Sequence, residues 1–312
     1  MEEKIMNYNE FYEKLQKDYR KYLPEGFENY TMVLDTITKN NGVKFDTVKF
    51  VDSKNTTSII PTVYPKGYFE NCEDLTVDEI IQRIVEVGCM VNDSINLDFD
   101  NIKDNIVFQL VNAEKNEELL KDVPYRMFNN LAIIYRWVVS QDEEGIKSSI
   151  ISNQLAEIKM NNISENELFD LAYKNTKRLL PPTVLPIENF MSGILRKTEM
   201  SDEQIEIIVE GMRNVPEDEK MYIISNNRKI NGATSIVYLK DTLGKIADKI
   251  DSDLYVIPSS VHEVIAVSDK HFSELNLKEM VKEVNITEVA DTEILSDSVY
   301  FYDRSQAELI LM

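Results

Sequence analysis

The chain has 312 residues, 34 basic and 55 acidic side chains for a net charge of −21, 43% hydrophobic residues, and only nine glycines and nine prolines. That length fits about two domains of ordinary size, and the composition excludes a disordered, collagenous or low-complexity chain. The charge argues against general binding to a nucleic-acid backbone or an anionic membrane surface, both of which need clustered cations.

Between positions 8 and 23, Tyr8, Phe11, Tyr12, Leu15, Tyr19, Tyr22 and Leu23 recur at three- and four-residue steps. That spacing predicts one apolar helix face, ended by Pro24 and Gly26. The β-branched runs Thr31–Thr38 and Val43–Val51 flank Asn40-Asn41-Gly42 and predict a hairpin. Ser58–Tyr64 reads as a third strand, with Pro61 marking an edge or bulge. Four helix starts carry a capping pair: Thr76 with Glu79, Ser164 with Glu167, Ser201 with Gln204, and Asn276 with Glu279. Further strands are expected at Ile106–Val111, Leu131–Ser140, Ser148–Lys159, Met221–Ser225, Ala233–Tyr238, Leu254–Ile257, Val261–Val267 and Ser298–Tyr302. The strands at 131–140 and 148–159 are expected to pair across the polar turn Gln141–Gly145.

Consecutive hairpins among helices predict an α+β fold of mostly antiparallel or mixed sheets with capped amphipathic helices. Strand–loop–helix units starting at Ser58, Ser148 and Val261 raise the question of an internal repeat. Pro181–Pro186 cannot continue a helix and marks the expected boundary between an N-terminal α+β region, 1–180, and a C-terminal one, 181–312.

The two cysteines, Cys72 and Cys89, form no C-x-x-C pair and are too few for a disulfide framework or structural zinc site. The longest apolar runs, Leu131–Tyr135 and Trp137–Val139, are split by Arg136 and fall far short of the ~20 residues of a membrane span. No apolar segment follows the first residues, so no signal peptide is expected and the protein is assigned to the cytoplasm. Glycine-rich phosphate loops, an H-E-x-x-H pair and a G-x-S-x-G elbow are all missing.

The most chemically suggestive stretch is Ser259-Ser260-Val261-His262-Glu263, followed by Asp269 and His271. A hydroxyl beside an imidazole and a carboxylate is the logic of nucleophilic catalysis, which makes Ser260, His262 and Glu263 weak catalytic candidates. Strand alternation would put Ser260 and His262 on one face and Glu263 on the other. His262, Asp269 and His271 are weak metal-ligand candidates. The competing reading is a hairpin turn shaped by Pro258 and the serines. Glu157-Ile-Lys159, read as late in a strand, and the acid pairs Asp98/Asp100 and Asp251/Asp253 read as ordinary solvated charge.

Two stretches carry a resemblance. One runs from Leu110-Val-Asn-Ala-Glu-Lys-Asn116 through Val123-Pro124 to Asn130–Tyr135, and the other is Tyr255–Ile265. Together they resemble a bacterial family that carries only a domain-of-unknown-function label. The resemblance implies a cytoplasmic bacterial protein and supplies no activity or site residue. The resulting expectation is a non-catalytic binding or protein-interaction module with no cofactor, no membrane and no direct nucleic-acid binding, its partner an unidentified protein or small ligand. The alternatives are a hydrolase or metal-dependent enzyme centred on Ser259–His271, and an acidic decoy of a nucleic-acid-binding protein.

Overall fold

A computed structural model describes residues 6–52, 61–72, 74–90, 99–141, 145–160, 162–258 and 260–312. The chain divides into two compact units, Met1–Asn96 and Leu97–Met312.

In the first unit, helix α1 (Tyr8–Asp18) opens with a capping box that the sequence reading missed. The Glu10 amide donates to Asn7 Oδ1 (3.0 Å) and the Asn7 amide to the Glu10 carboxylate (3.1 Å). A 3₁₀ turn follows at Tyr19–Tyr22. Strands β1 (Tyr30–Thr38) and β2 (Lys44–Asp52) form the expected antiparallel hairpin, and Asn41 and Gly42 take the left-handed backbone its tip demands. Of the strand expected at 58–64, positions 58–60 lie outside the described residues, and Val63 makes an isolated bridge to Val48. Helices α2 (Pro65–Asn71) and α3 (Val77–Gly88) follow, the latter opened by the Thr76/Glu79 capping box. Phe11 and Leu15 of α1, Phe50 of β2, and Ile81 and Ile84 of α3 meet in one fully buried core.

The second unit holds two antiparallel sheets. After α4 (Phe99–Ile102) come β3 (Ile106–Asn112), α5 (Glu117–Lys121), β4 (Tyr125–Phe128), β5 (Leu131–Gln141) and β6 (Ile146–Ile150). β5 is central: one edge pairs with β3, and the other pairs with β4 and then β6. The predicted strand 148–159 ends early, because Ser152 accepts from the Leu155 amide and caps α6 (Asn153–Lys159). Glu157 and Lys159 therefore fall in a helix and not late in a strand. Helix α7 (Glu165–Leu179), opened by the Ser164/Glu167 box, lies on β3. Thr176 Oγ1 there accepts from the Phe108 amide (3.1 Å), and Phe169 stacks on Phe108.

Pro181–Pro186 coincides with a change of sheet, while the division between compact units falls at 96/97. Strand β7 (Pro182–Pro186) is an edge of the six-stranded sheet, where a missing amide is tolerated. Next come α8 (Ile187–Leu195), α9 (Asp202–Arg213) with its Ser201/Gln204 box, β8 (Tyr222–Asn226), α10 (Leu243–Ile250), β9 (Leu254–Ile257), β10 (Val264–Ser268), α11 (Glu274–Thr287), β11 (Tyr300–Asp303) and β12 (Glu308–Leu311). The strand order is β12-β11-β9-β10-β8-β7. Leu277 and Val281 of α11 pack on Ile257 and Val267. That helix is capped by Ser273, which accepts from the Asn276 amide, and not by Asn276 as expected. The strand expected at 233–238 is a buried 3₁₀ turn, Gly232–Val237. All the named strand pairs are antiparallel, so the fold class is α+β as expected.

Between α8 and β8 a chain of charges is drawn inside the second unit. Glu188, buried, pairs with Lys220 Nζ at 3.2 Å, and that ammonium lies 3.4 Å from the Glu217 carboxylate. Glu217 also accepts from Lys249 and from the Tyr222 hydroxyl. The Lys249 and Tyr222 hydrogen bonds hold the Glu217 carboxyl down to about 2, from its usual 4.5. A depressed carboxyl stabilises the fold fully above its unfolded value and loses that contribution as pH falls through the folded one. Stability should therefore decline as pH falls from about 4.5 toward 2, and Glu217→Gln should flatten that part of the profile in urea unfolding measured across pH.

Candidate functional site

Arg136 is the one charged residue of Leu131–Val139, the apolar stretch of β5, and the sheet register explains how it is held. Arg136 faces Val107 on β3 and Ile150 on β6. Gln109 and Ser148 each lie two residues along from those partners, so they share its face and reach it diagonally. Arg136 Nε donates to Ser148 Oγ (2.9 Å), Nη2 to the Ser148 carbonyl (3.0 Å) and Nη1 to Gln109 Oε1 (3.2 Å). The guanidinium plane is thus fixed from both neighbouring strands.

These side chains line a cavity of about 220 Å³. Polar Gln109, Arg136, Ser148 and Asn231 line it together with apolar Val107, Val138, Leu180 and Ile230. The rim at Ile230–Asn231 belongs to the loop after β8, which is braced from within. Buried Asn226 donates through Nδ2 to the Ile230 carbonyl (2.8 Å), and its Oδ1 accepts from the Arg228 amide (2.9 Å). Lys229 (φ 55°) and Asn231 (φ 50°) both take left-handed backbone, a costly conformation that the surroundings must enforce. Just beyond, Gly232 passes so close to Ser225 and His262 that a Cβ would sit 2.1 Å from Ser225 Oγ and 2.2 Å from the His262 carbonyl oxygen.

His262 enters here as a brace. Its Nδ1 accepts from the Asn231 amide (3.3 Å), so the ring carries its proton on Nε2, which lies 3.5 Å from the Glu293 carboxylate. Its carbonyl accepts from Ser225 Oγ (2.7 Å). Ser260–Glu263 is a turn before β10 and not part of the strand, so the expected alternation of faces does not apply. Ser260 Oγ donates to Glu263 Oε1 (2.6 Å) and accepts from the His262 and Glu263 amides (3.0 and 3.3 Å). Ser260 and Glu263 are thus brought together, while the imidazole turns toward Asn231 and Glu293. Ser259 lies outside the described residues.

The three metal-ligand candidates are engaged separately. His271 Nε2 lies 3.0 Å from Asp218, and Asp269 accepts from Ser252 Oγ at 2.6 Å. Among the described residues no three His, Cys, Asp or Glu side chains come together as a metal site.

A larger, more open depression of about 500 Å³ lies at Tyr125, Asn153, Glu157 and Glu165. Its Glu165 is already engaged. Arg126 approaches it through Nε (3.0 Å) and Nη2 (2.8 Å), and the buried Tyr135 hydroxyl donates to it. Burial, then that hydrogen bond, raise the Tyr135 phenol far above its usual range, so it stays protonated. This cluster fastens α7 to β4 and β5.

Arg136 was visible in the sequence as a charge splitting an apolar run. Gln109 and Ser148 carry no signal until the strand register is known.

A family model described as a family of unknown function, DUF5688, matches residues 8–304, and the chain belongs to that family. No curated protein and no solved structure matches it. No helix among the described residues is long and apolar enough to cross a membrane.

The close approach at Gly232 gives a test of the rim. Gly232→Ala should lower the unfolding free energy by about 3 kcal/mol, the upper end for overpacking, since one obstacle is a backbone carbonyl. Asn231→Gly, which keeps the amide and suits the left-handed backbone, should stay within about 1 kcal/mol of the parent in the same urea titration.

Proposed function

We propose that this DUF5688 protein is a non-catalytic binding module of the bacterial cytoplasm and that it holds a small molecule in the cavity beneath Arg136. The observation that carries this reading is the arginine itself: a guanidinium held by Gln109 and Ser148 in the wall of a cavity whose other described lining residues are apolar or neutral. Ligand sites commonly have this character, a mostly apolar concavity with a few fixed polar groups. The left-handed backbone at Asn231 on the rim, and at Lys229 just before it, adds support, since enforced backbone strain collects at binding sites. The even acidity and the unpaired thiols of Cys72 and Cys89 suit a reducing compartment.

The hydrolase reading draws less support, because the Ser260 hydroxyl is given to Glu263 and the His262 ring braces a loop. The acidic-decoy reading has little behind it either: Asp18, Glu217, Asp241, Asp248 and Asp251 are each paired with a lysine or arginine of this chain. For a protein partner, the exposed apolar side chains Ile207, Leu275 and Ile286 are of a kind found on most surfaces.

Native mass spectrometry of gently purified protein tests the small-molecule reading. The expected result is a mass above that of the denatured chain, lost in Ile230→Trp, which fills the mouth of the cavity. A bare chain mass, together with no thermal shift on adding the low-molecular-weight fraction of the host lysate, would overturn it.

A further inference from the structure

We infer that His262 is a proton-operated latch on the Ile230–Asn231 rim: protonation of its ring takes the acceptor from the Asn231 amide and leaves the imidazolium paired with Glu293. The Ile230–Asn231 peptide unit is held at both ends. Asn226 Nδ2 donates to its carbonyl (2.8 Å), and its N–H donates to His262 Nδ1 (3.3 Å). A proton can switch the second of these bonds, because a neutral ring nitrogen accepts and a protonated one donates. The histidine's backbone is fastened independently of its ring: the His262 amide donates to Ser260 Oγ (3.0 Å) and its carbonyl accepts from Ser225 Oγ (2.7 Å). The Asn231 carbonyl is held as well, by the Thr234 hydroxyl (2.8 Å). What yields is therefore the Ile230–Asn231 peptide, whose two residues line the cavity and the second of which takes left-handed backbone.

The groups around the ring favour this exchange. Among the described residues the charged group facing it is Glu293, on the loop after α11, 3.5 Å from Nε2; it gains an ionic partner when the imidazole charges. Glu263, the carboxylate of the histidine's own turn, is taken by the Ser260 hydroxyl. From the loop after β8 the contact is the Asn231 amide. The charged side chains of that loop lie elsewhere, Lys229 over the Phe190 ring and Arg228 against the Gln141 side chain. The His262 side chain is 31% exposed, so protons reach it from solvent. Imidazole is the side chain that ordinarily changes charge between about pH 5 and 8.

Hydrogen exchange of the full chain, followed by NMR at each amide and corrected for the pH dependence of the intrinsic rate, tests this between about pH 8 and 5. Protection of the Asn231 amide should fall about fivefold on acidification, the scale of one hydrogen bond, with the same midpoint as the His262 ring resonances. His262→Asn places an amide oxygen where Nδ1 stood and does not titrate; it should hold the protection constant across the range. His271→Gln removes the chain's other imidazole and should leave the loss intact. Should His262→Asn fail to fold, His271→Gln carries the test alone, since His262 is then the one imidazole titrating. Constant protection of Asn231 while the His262 ring titrates would overturn the inference, as would a ring that keeps one charge state throughout. A loss that persists in His262→Asn would overturn it by assigning the switch to another group.

Discussion

A guanidinium inside an apolar strand is the constraint on which the second unit turns. An arginine drawn partly out of water must find hydrogen-bond acceptors or destabilise the sheet. Arg136 finds acceptors in Gln109 and Ser148, which the observed register of β3 and β6 against β5 puts on its own face. A slip of one residue would turn Gln109 or Ser148 to the opposite face and take from the guanidinium the acceptors it now uses. One residue therefore ties the register of three strands to a polar group in the cavity wall.

The rim of that cavity is held by parts of the chain that the sequence keeps apart. Asn226 ties its own loop, Gly232 permits the close approach, and His262 reaches back to the Asn231 amide. The histidine that looked like chemistry is a support for backbone geometry. Its ring accepts from an amide, an arrangement that positions one proton on the imidazole and leaves Nδ1 occupied.

Much of the fold was legible because its signals are local. Thr76/Glu79, Ser164/Glu167 and Ser201/Gln204 cap their helices, since a hydroxyl and a side-chain acceptor three residues apart satisfy each other's amides wherever a helix begins. Asn41-Gly42 turned the hairpin for equally local reasons. The misreadings arose where tertiary context outweighs propensity. Ala233–Tyr238 has the β-branched content of a strand, yet Ser235 Oγ donates to the Ser225 carbonyl (2.6 Å) and the Tyr238 hydroxyl to the Tyr173 carbonyl (2.7 Å), holding a 3₁₀ turn. The run 148–159 mixes strand and helix because Ser152 is a strong cap inside an apolar pattern. Of the candidate site, only Arg136 stood out; its partners were set by strand pairing, which one sequence does not display.

The two sheets of the second unit are stitched by asparagines. Asn112 Nδ2 donates to the Leu295 carbonyl (3.1 Å), Asn129 Nδ2 to the Leu309 carbonyl (3.1 Å), and Asn130 Nδ2 to Ser298 Oγ (3.3 Å). The change of sheet at the prolines is therefore no place to cut. During synthesis these amides emerge long before their acceptors do, and contacts of such sequence separation form late. The four-stranded sheet is thus fastened by a segment, Leu295–Leu309, that follows it by well over a hundred residues, so its docking closes some of the longest loops in the unit.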